Sequence, residues 1–230
     1  MADDQSGKGQ GRWRVVSRMR VEIWSDVVCP WCYIGKRRFE RALESFAHAD
    51  EVEVTYRSFE LDPSAPKDVT TPTVRVLASK YGMSAEQAGD AQRQMEQRAA
   101  QDGLTFRLDD LRSGNTRDAH RLLHLAKDAG RQADLVERLH RGYFTEQLPI
   151  FDHAVLTRLA VQAGLDRSEV ADVLASEDYG PAVETDEAMA ATLGVTGVPF
   201  FVIDRRYAFS GAQPAEALSK LLDEVWANER

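Results

Sequence analysis

The chain has 230 residues, of which 43% are hydrophobic and 29% are charged, and its formal net charge at pH 7 is −8. This composition is typical of a globular protein with a sizeable core, and the acidic balance argues against general binding to nucleic acid or to an anionic membrane surface. No apolar run approaches the roughly 18 residues of a transmembrane helix, so we expect neither a nucleic-acid nor a membrane partner.

Residues 1–18 are polar and rich in glycine, and they lack the apolar centre of a signal peptide. We interpret them as a flexible extension. Nothing in this segment directs the protein to an oxidising compartment, so we expect a cytoplasmic location. A structural disulfide is disfavoured in the cytoplasm.

The first predicted elements form a strand–helix–strand unit. Residues 20–25 (RVEIWS) are β-rich, and residues 51–61 (EVEVTYRSFEL) alternate apolar and polar side chains, so both are predicted strands. Between them, apolar residues recur at three- and four-residue spacing from Pro30 onward, which predicts a helix. This order is the usual unit of a parallel sheet.

A long helical block follows a proline-rich break. Thr71 and Pro72 are predicted to start its first helix. Ser84 with Gln87 predicts a capping box for the next helix, and Asn115 is most simply the N-cap of a third. Further helices are predicted at residues 131–147, 153–163, 168–178 and 182–193.

The end of the chain returns to strands. Residues 199–203 (PFFVI) and 207–210 are predicted strands across a tight turn, and residues 214–227 form a closing amphipathic helix. The order is therefore βαβ, a helical block, then ββα. This order predicts an α/β fold in which two halves of one sheet flank a large helical insertion.

Cys29 and Cys32 are the only cysteines, and they stand between the first strand and the first helix. Free amides and the helix dipole stabilise an anion at a helix start, which favours a thiolate there. We expect Cys29 to be the exposed nucleophile and Cys32, one turn on, to point inward and attack the mixed disulfide. Pro30 fits the first turn because the amide that it lacks would have no partner.

Two other interpretations of the cysteine pair are a zinc site and two inert buried thiols. Zinc needs about four ligands, but there is no second cysteine pair and no histidine has a matching spacing. We therefore favour a redox pair with no bound metal. We expect no cofactor beyond a thiol co-substrate such as glutathione.

The segments SDVVCPWCYIGKRRFERAL and GVTGVPFFVIDRRYAFSGAQPAEAL resemble the DsbA-like thioredoxin superfamily. The closer resemblance is to its cytoplasmic FrnE-like branch, and NTRDAHRLLHLAKDAG in the middle of the chain is similar to that branch as well. The resemblance covers about residues 19–228. It implies a thioredoxin-like domain made of residues 19–62 and 195–230, with residues 63–194 as a helical insertion.

The resemblance also implies roles for single residues. Cys29 would attack and Cys32 would resolve. Pro199 would be a cis-proline that faces the cysteines, and the backbone of Val198 would pair with a substrate peptide in β-fashion. Many relatives carry a buried acid six residues before the first cysteine. Here Ile23 stands there, which leaves the proton acceptor of the second thiol undetermined, with water as one candidate.

Several residues are candidates for the walls of a substrate groove. We expect Trp31, with Pro30, to offer a partly exposed apolar surface beside the nucleophile. The helical block leaves the sheet after the second strand and returns just before the last two, so it is predicted to pack over the cysteines. Asn115 and His120 in this block are weaker candidates for the groove.

Two other features have simpler interpretations. His120 and His124 are four residues apart, as metal ligands can be, but we expect them to flank an apolar helix stripe. The cluster Lys36, Arg37 and Arg38 is by default a solvated helix face. Its weaker interpretation is attraction of an acidic thiol such as glutathione.

The first functional hypothesis is a protein disulfide oxidoreductase, acting as reductase or isomerase on protein or small-molecule disulfides with an unidentified reducing partner. Its direction cannot be deduced, because the reduction potential depends on local electrostatics. The alternative is a glutathione-dependent isomerase or transferase, similar to 2-hydroxychromene-2-carboxylate isomerases and kappa-class glutathione transferases. Those proteins use serine at the nucleophile position, which the Cys29–Cys32 pair disfavours. A non-catalytic binding module is a third option.

Overall fold

The computed structural model describes residues 18–67 and 70–229, so the predicted extension lies outside the described residues except for Arg18. Six strands occur within these ranges: β1 (Met19–Ser25), β2 (Val52–Ser58), β3 (Thr71–Pro72), β4 (Arg112–Ser113), β5 (Phe200–Ile203) and β6 (Tyr207–Ser210). Four of them form one sheet in the order β2–β1–β5–β6, and β3 pairs with β4 in a small separate ladder.

The first half of the main sheet is the predicted βαβ unit. Strand β1 runs parallel to β2, and their last residues, Ser25 and Ser58, lie opposite each other. Helix α1 (Pro30–Ser45) and a short 3-10 turn (Ala49–Glu51) connect the two strands. Because the strands are parallel, their carboxyl ends share one edge of the sheet, and the cysteines follow β1 at that edge.

The second half of the sheet comes from the end of the chain. Strand β5 lies antiparallel to β1, and β6 lies antiparallel to β5. Phe201 stacks on Phe209 of the neighbouring strand at 4.6 Å and contacts Phe39 of α1 at 5.7 Å between ring centroids. Helix α9 (Ala215–Glu229) packs beside α1, so both halves share one apolar core.

Seven helices make up most of the predicted insertion within the described residues. They are α2 (Thr73–Tyr81), α3 (Ala85–Gln101), α4 (Arg117–Asp128), α5 (Gln132–Phe144), α6 (His153–Gln162), α7 (Arg167–Ala175) and α8 (Gly180–Thr192). The fold is thus α/β with a helical insertion, as the order of elements predicted. In the part of the chain that the structure describes, no helix has the length and apolarity to span a bilayer.

The observed first residues of three helices test the local predictions. Ser84 and Gln87 form both hydrogen bonds of the predicted capping box. A helix does start at Thr71 and Pro72 as predicted: both residues pair with β4, Pro72 is the N-cap of α2, and Gly82 is its C-cap. Asn115 is not the N-cap of α4, because the helix begins one residue later than predicted and Thr116 takes that position.

The insertion packs directly on the helix that carries the cysteines. The Tyr33 ring of α1 stacks on Phe106, His140 and Phe144 of the insertion at 5.8, 4.9 and 6.2 Å between centroids. The Tyr33 hydroxyl donates to the Glu137 carboxylate of α5 at 2.8 Å. The helical block therefore packs on α1 at Tyr33, the residue next to Cys32.

Candidate active site

The cysteine pair lies where β1 passes into α1. Cys29 is the N-cap residue of α1, and Pro30 is the first residue of the helix, where its missing amide costs nothing. The Cys32 amide donates to the Cys29 carbonyl at 3.0 Å. Both cysteines are free thiols and they approach to 3.4 Å, so a small movement brings the sulfurs to the roughly 2 Å of a disulfide bond.

Both cysteines are buried, Cys29 with 5% and Cys32 with 2% of its surface exposed. The predicted inward position of Cys32 is confirmed, but the expectation of an exposed Cys29 is wrong. The physical reason is the segment that precedes β5. The Cys29 thiol donates to the carbonyl oxygen of Val198 at 3.5 Å, so this backbone covers a sulfur that was expected to face solvent.

The segment over Cys29 is held from both sides. The Val198–Pro199 peptide bond is cis, and the Pro199 carbonyl accepts the Gly211 amide at 2.8 Å. A Cβ atom on Gly35 of α1 would lie 2.9 Å from Pro199 Cγ. Only glycine therefore allows α1 to approach the proline this closely, and the approach places Val198 against Cys29.

The surroundings of Cys32 keep it in the thiol form. Burial and the neighbouring Cys29 raise the pKa of the Cys32 thiol well above its ordinary value. Hydrogen bonds from the Ser25 side chain and the Asp26 backbone act in the opposite direction and are outweighed. Ile23, at the position where many relatives have an acid, is a buried apolar residue with 2% exposure and cannot accept a proton.

Asp26 and His120 form a buried pair at the end of β1. His120 Nε2 lies 3.3 Å from one Asp26 carboxylate oxygen, and the other accepts the Leu61 amide at 2.8 Å. Burial acts to lower the pKa of His120, but the hydrogen bond and charge of Asp26, aided by the charge of Glu60, raise it overall. This pair joins α4 to the strand end three residues before Cys29.

His124, one turn further along α4, has a second set of polar partners. Its Nε2 lies 3.1 Å from the Ser58 hydroxyl and 3.2 Å from an Asp186 carboxylate oxygen. Asp186 also accepts the Ser58 amide and the Arg57 guanidinium, both at 3.0 Å. His120 and His124 lie beside the buried apolar stripe of α4 as expected, and both also have polar partners at the sheet edge.

The basic cluster of α1 is not a solvated face. Lys36 is 4% exposed, and its ammonium contacts Glu40 at 2.6 Å and Glu137 at 2.5 Å. Arg38 pairs with the buried Asp102 at 2.8 Å. The spacing of charges along one helix could not show that α3 and α5 bring carboxylates to this face, so the prediction was wrong for Lys36 and Arg38.

The remaining predicted residues divide between the site and its surroundings. Trp31 is 39% exposed beside Cys29, as expected of a contact surface. His120 reaches the strand end, as described. Asn115 instead ties the start of α4 to the loop after β2: its side chain accepts the amide of Arg117, the first residue of α4, at 3.0 Å and donates to the Ala65 carbonyl at 3.1 Å.

Sequence reasoning missed three polar residues at and near the sheet edge that carries the cysteines: Ser25, Ser58 and Asp186. A signal did exist for two of them. Ser25 and Ser58 end the two predicted parallel strands, and parallel strands place their carboxyl ends at one edge. Asp186 carried no such signal, because it lies on a helix more than 120 residues further along the chain.

Comparison with known proteins fits this geometry. The family model described as "DSBA-like thioredoxin domain" matches residues 20–223. The chain belongs to the DSBA-like thioredoxin family. The resemblance of the cysteine and proline segments to the DsbA-like superfamily is thereby confirmed, and the thioredoxin fold with its helical insertion agrees with the DsbA-like architecture.

Several relatives extend the match over the whole DsbA-like domain. The probable DsbA oxidoreductase SCO1869 from Streptomyces coelicolor is 52% identical, with 93% of this chain and 92% of that chain covered and a TM-score of 0.88. The uncharacterized protein YwbO from Bacillus subtilis (strain 168) is 28% identical over 188 residues, which are 80% of this chain and 86% of YwbO.

A third similar protein is the cytosolic disulfide reductase DsbM from Pseudomonas aeruginosa, whose structure was solved with GSH. It is 17% identical, with 90% of this chain and 98% of that chain covered and a TM-score of 0.61. At this identity the likeness concerns the fold.

Proposed function

We propose that this DsbA-like protein is a thiol–disulfide oxidoreductase in which Cys29 attacks and Cys32 resolves. The observation that carries the proposal is the geometry of the pair. Two free thiols approach to 3.4 Å at a helix start, where amides and the helix dipole favour an anion. Cys29 is the less deeply buried of the two, and it is the one that contacts the segment before β5.

The chemistry follows from the different surroundings of the two sulfurs. The Cys29 thiolate attacks one sulfur of a substrate disulfide, and a mixed disulfide forms while the other substrate sulfur leaves as a thiolate. Cys32, whose pKa burial and Cys29 raise, waits as a thiol. It then loses its proton, attacks the Cys29 sulfur and releases the second substrate thiolate. The substrate gains two electrons and the protein gains a disulfide.

Substrate docking is proposed at the edge formed by Val198, Pro199, Pro30 and Trp31. The Val198 carbonyl lies over the Cys29 sulfur at 3.5 Å, so a peptide pairing with this backbone is directed towards the nucleophile. Trp31, at 39% exposure, offers an apolar surface beside it. Such a site recognises the extended backbone around a disulfide and requires no particular sequence.

We propose that the protein works as a reductase or isomerase in the cytoplasm. A cytosolic disulfide reductase shares the fold. A thiol of low molecular mass such as glutathione would then return the Cys29–Cys32 disulfide to the dithiol. With a net charge of −8, the protein needs no nucleic-acid or membrane partner for this role.

An insulin assay tests the proposal against the alternative of a glutathione-dependent isomerase or transferase. With dithiothreitol as reductant, the wild-type protein is expected to accelerate the reduction of insulin disulfides, seen as turbidity from the freed chains. Cys29→Ser is expected to remove this acceleration while the thermal unfolding midpoint stays close to the wild-type value. Unchanged insulin reduction in Cys29→Ser would contradict the proposal, and glutathione conjugation that survives the change would favour the alternative.

A further inference from the structure

We propose that Arg38 is a positioning residue for substrate docking, because it joins the helical insertion to the backbone that lies over Cys29. Its guanidinium bonds with Asp102 of the insertion and with the carbonyl of Ala212 in the turn after β6. That turn holds the Val198–Pro199 segment. The inference rests on the proposed function, because this segment is a docking edge only if a disulfide substrate pairs with it.

The docking segment is held by the turn at residues 211–213. The Pro199 carbonyl accepts the Gly211 amide at 2.8 Å, and the Gln213 amide closes the turn by donating to the Gly211 carbonyl at 3.0 Å. The neighbouring Val198 carbonyl lies 3.5 Å from the Cys29 sulfur. The position of the turn therefore determines where the docking edge lies relative to the nucleophile.

Helix α1 fixes this turn at two points on one face. Arg38 Nη1 donates to the Ala212 carbonyl at 2.7 Å, one residue beyond the Gly211 amide that holds Pro199. Gly35 lies three residues earlier, on the same face of the helix. A Cβ atom on Gly35 would lie 3.5 Å from Ala212 Cβ and 2.9 Å from Pro199 Cγ. The turn thus rests on α1 at Gly35 and is tied to it by Arg38.

Asp102 holds the guanidinium in the orientation that this bond requires. Arg38 Nε donates to both oxygens of the Asp102 carboxylate at 3.0 Å, and Nη2 donates to one of them at 2.8 Å. The guanidinium is planar and its donors are fixed in a fork. With Nε and Nη2 facing the carboxylate, Nη1 is directed to the Ala212 carbonyl. Asp102 is the C-cap residue of α3, so the insertion orients a group that holds the sheet half.

Burial makes this link stronger than an ordinary surface ion pair. The side chains of Arg38 and Asp102 are 16% and 8% exposed. Hydrogen bonds between charged groups that are largely removed from water are strong and weakly screened. The end of α3, the middle of α1 and the turn after β6 are therefore held together at one guanidinium.

Arg41 offers a matched comparison one turn further along α1. It shares the acidic partner, because its Nη2 donates to the Asp102 carbonyl at 2.8 Å and its Nη1 lies 3.4 Å from the carboxylate. Its side chain is 42% exposed. Its hydrogen bonds to described residues go to Asp102, and none goes to the 211–213 turn. Arg41 therefore has the contact with the insertion without the link to the docking edge.

Two disulfides that differ in their backbone test the inference. The first joins two labelled peptides and is reduced in steady state with dithiothreitol as reductant. Arg38→Met is expected to raise the KM for this peptide about tenfold, the factor that corresponds to the loss of one hydrogen bond to a charged group. We expect little change in kcat, because a residue that only places the docking backbone contributes equally to the bound substrate and to the transition state.

The second disulfide is a nitrobenzoate disulfide, which has no peptide backbone. It is mixed in stopped flow with the reduced protein and no other thiol, and the coloured thiolate is followed. Arg38→Met should react at the wild-type rate, because this substrate needs only the Cys29 sulfur. A general loss of structure around the cysteines would instead slow both disulfides.

Variants at Asp102 separate positioning from the bare loss of an arginine. Asp102→Ala removes the group that orients Arg38, so it should also raise the peptide KM. Combined with Arg38→Met it should add little, because the two residues act through one contact with Ala212. The double variant leaves no buried carboxylate without its cation, so it tests the inference even if Arg38→Met alone fails to fold.

Arg41→Met is the control and should leave both reactions at their wild-type values. The inference is overturned if the peptide KM is unchanged in Arg38→Met or in the double variant, or if Arg41→Met raises it as much. It is also overturned if Arg38→Met slows the nitrobenzoate disulfide as strongly as the peptide. A wild-type protein that reacts with neither disulfide would overturn the proposed function itself.

Discussion

The sheet half and the helical insertion differ in the titratable side chains that they bury. Strand β1 is buried along its length except at Arg20, and its neighbour β5 contributes Phe201 with none of its surface exposed. The insertion also buries polar residues, among them Arg121 at 2%, His140 at 0%, and His120, His124 and Gln132 at 8% or less. The sheet half buries Glu22, Asp26 and Lys36 as well, but the three buried histidines all belong to the insertion.

The elements that place the two sulfurs are therefore not the ones that bring the buried histidines to the sheet edge. The strand end and the helix start place Cys29 and Cys32 in the sheet half. The groups that contact the strand end from outside, His120 and His124, belong to α4 of the insertion. Imidazole is the side chain that ordinarily changes its charge between about pH 5 and pH 8. The insertion thus supplies the buried groups of this type.

The largest expected effect in the insertion concerns Arg121. Its guanidinium donates to the carbonyls of Ser176 and Asp178, each at 2.7 Å, and to Val173. Arg121→Met keeps the apolar stem and leaves these acceptors without their cation. We expect a loss of about 3 kcal/mol or more in the free energy of unfolding, because each unsatisfied buried acceptor costs roughly 1–3 kcal/mol. Urea unfolding monitored by circular dichroism measures it.

Arg138 provides the matched control for this change. Its pair with Glu146 is partly exposed, with side-chain exposures of 20% and 32%. We expect Arg138→Met to cost less than about 1 kcal/mol, as partly exposed pairs usually do. Equal losses for the two arginines would mean that the buried polar groups of the insertion carry no special stability.

A smaller effect, specific to pH, is expected at His140. Burial, followed by the charge of Lys36, lowers the pKa of His140 to about 4 from its ordinary 6.5. Above pH 6.5 the imidazole is neutral whether the chain is folded or unfolded, and the full stability is present. As the pH falls towards 4, only the unfolded chain takes up the proton, so about 3 kcal/mol of stability is lost across this window. His140→Phe should remove that loss, as measured by urea unfolding between about pH 7 and about pH 4.

Phe201→Leu in the sheet half is the control for the pH effect. It removes part of an aromatic contact, and we expect it to lower the free energy of unfolding by about 1 kcal/mol. This loss should be the same at every pH in this range. An equally steep loss of stability on acidification in wild type and His140→Phe would show that other groups dominate. His120, whose pKa is raised, cannot imitate the effect, because its contribution is present below pH 6.5 and is lost as the pH rises.

The sequence predicted the sheet half better than the insertion, for physical reasons. Alternation in the first strands, the proline at the helix start and the short apolar runs at the end of the chain are local signals, and β1, α1, β2, β5 and β6 all appeared where these signals placed them. The capping box at Ser84 is local in the same way. The role of Pro199 was inferred from the family resemblance, because no periodicity in the sequence marks this residue.

The polar contacts of the insertion depend on residues far apart in the chain. Lys36 meets Glu137 across about a hundred positions, and His124 meets Asp186 across about sixty. Charge patterning within one helix therefore predicted a solvated Lys36, which was wrong, and it could not show the polar partners of His124. Cys29 was expected to be exposed for the same reason, since only the folded chain shows Val198 lying over it.

Trapping of mixed disulfides tests the central claim, that the two thiols have unequal and sequential roles, most directly. Each single-cysteine variant is mixed with an oxidised peptide and quenched with acid, and the adducts are identified by mass spectrometry. Cys32→Ser should accumulate a mixed disulfide through Cys29, because the thiol that resolves it is missing. Cys29→Ser should trap little, because burial raises the pKa of the remaining Cys32 thiol. Equal trapping by both variants, or trapping only through Cys32, would contradict the account.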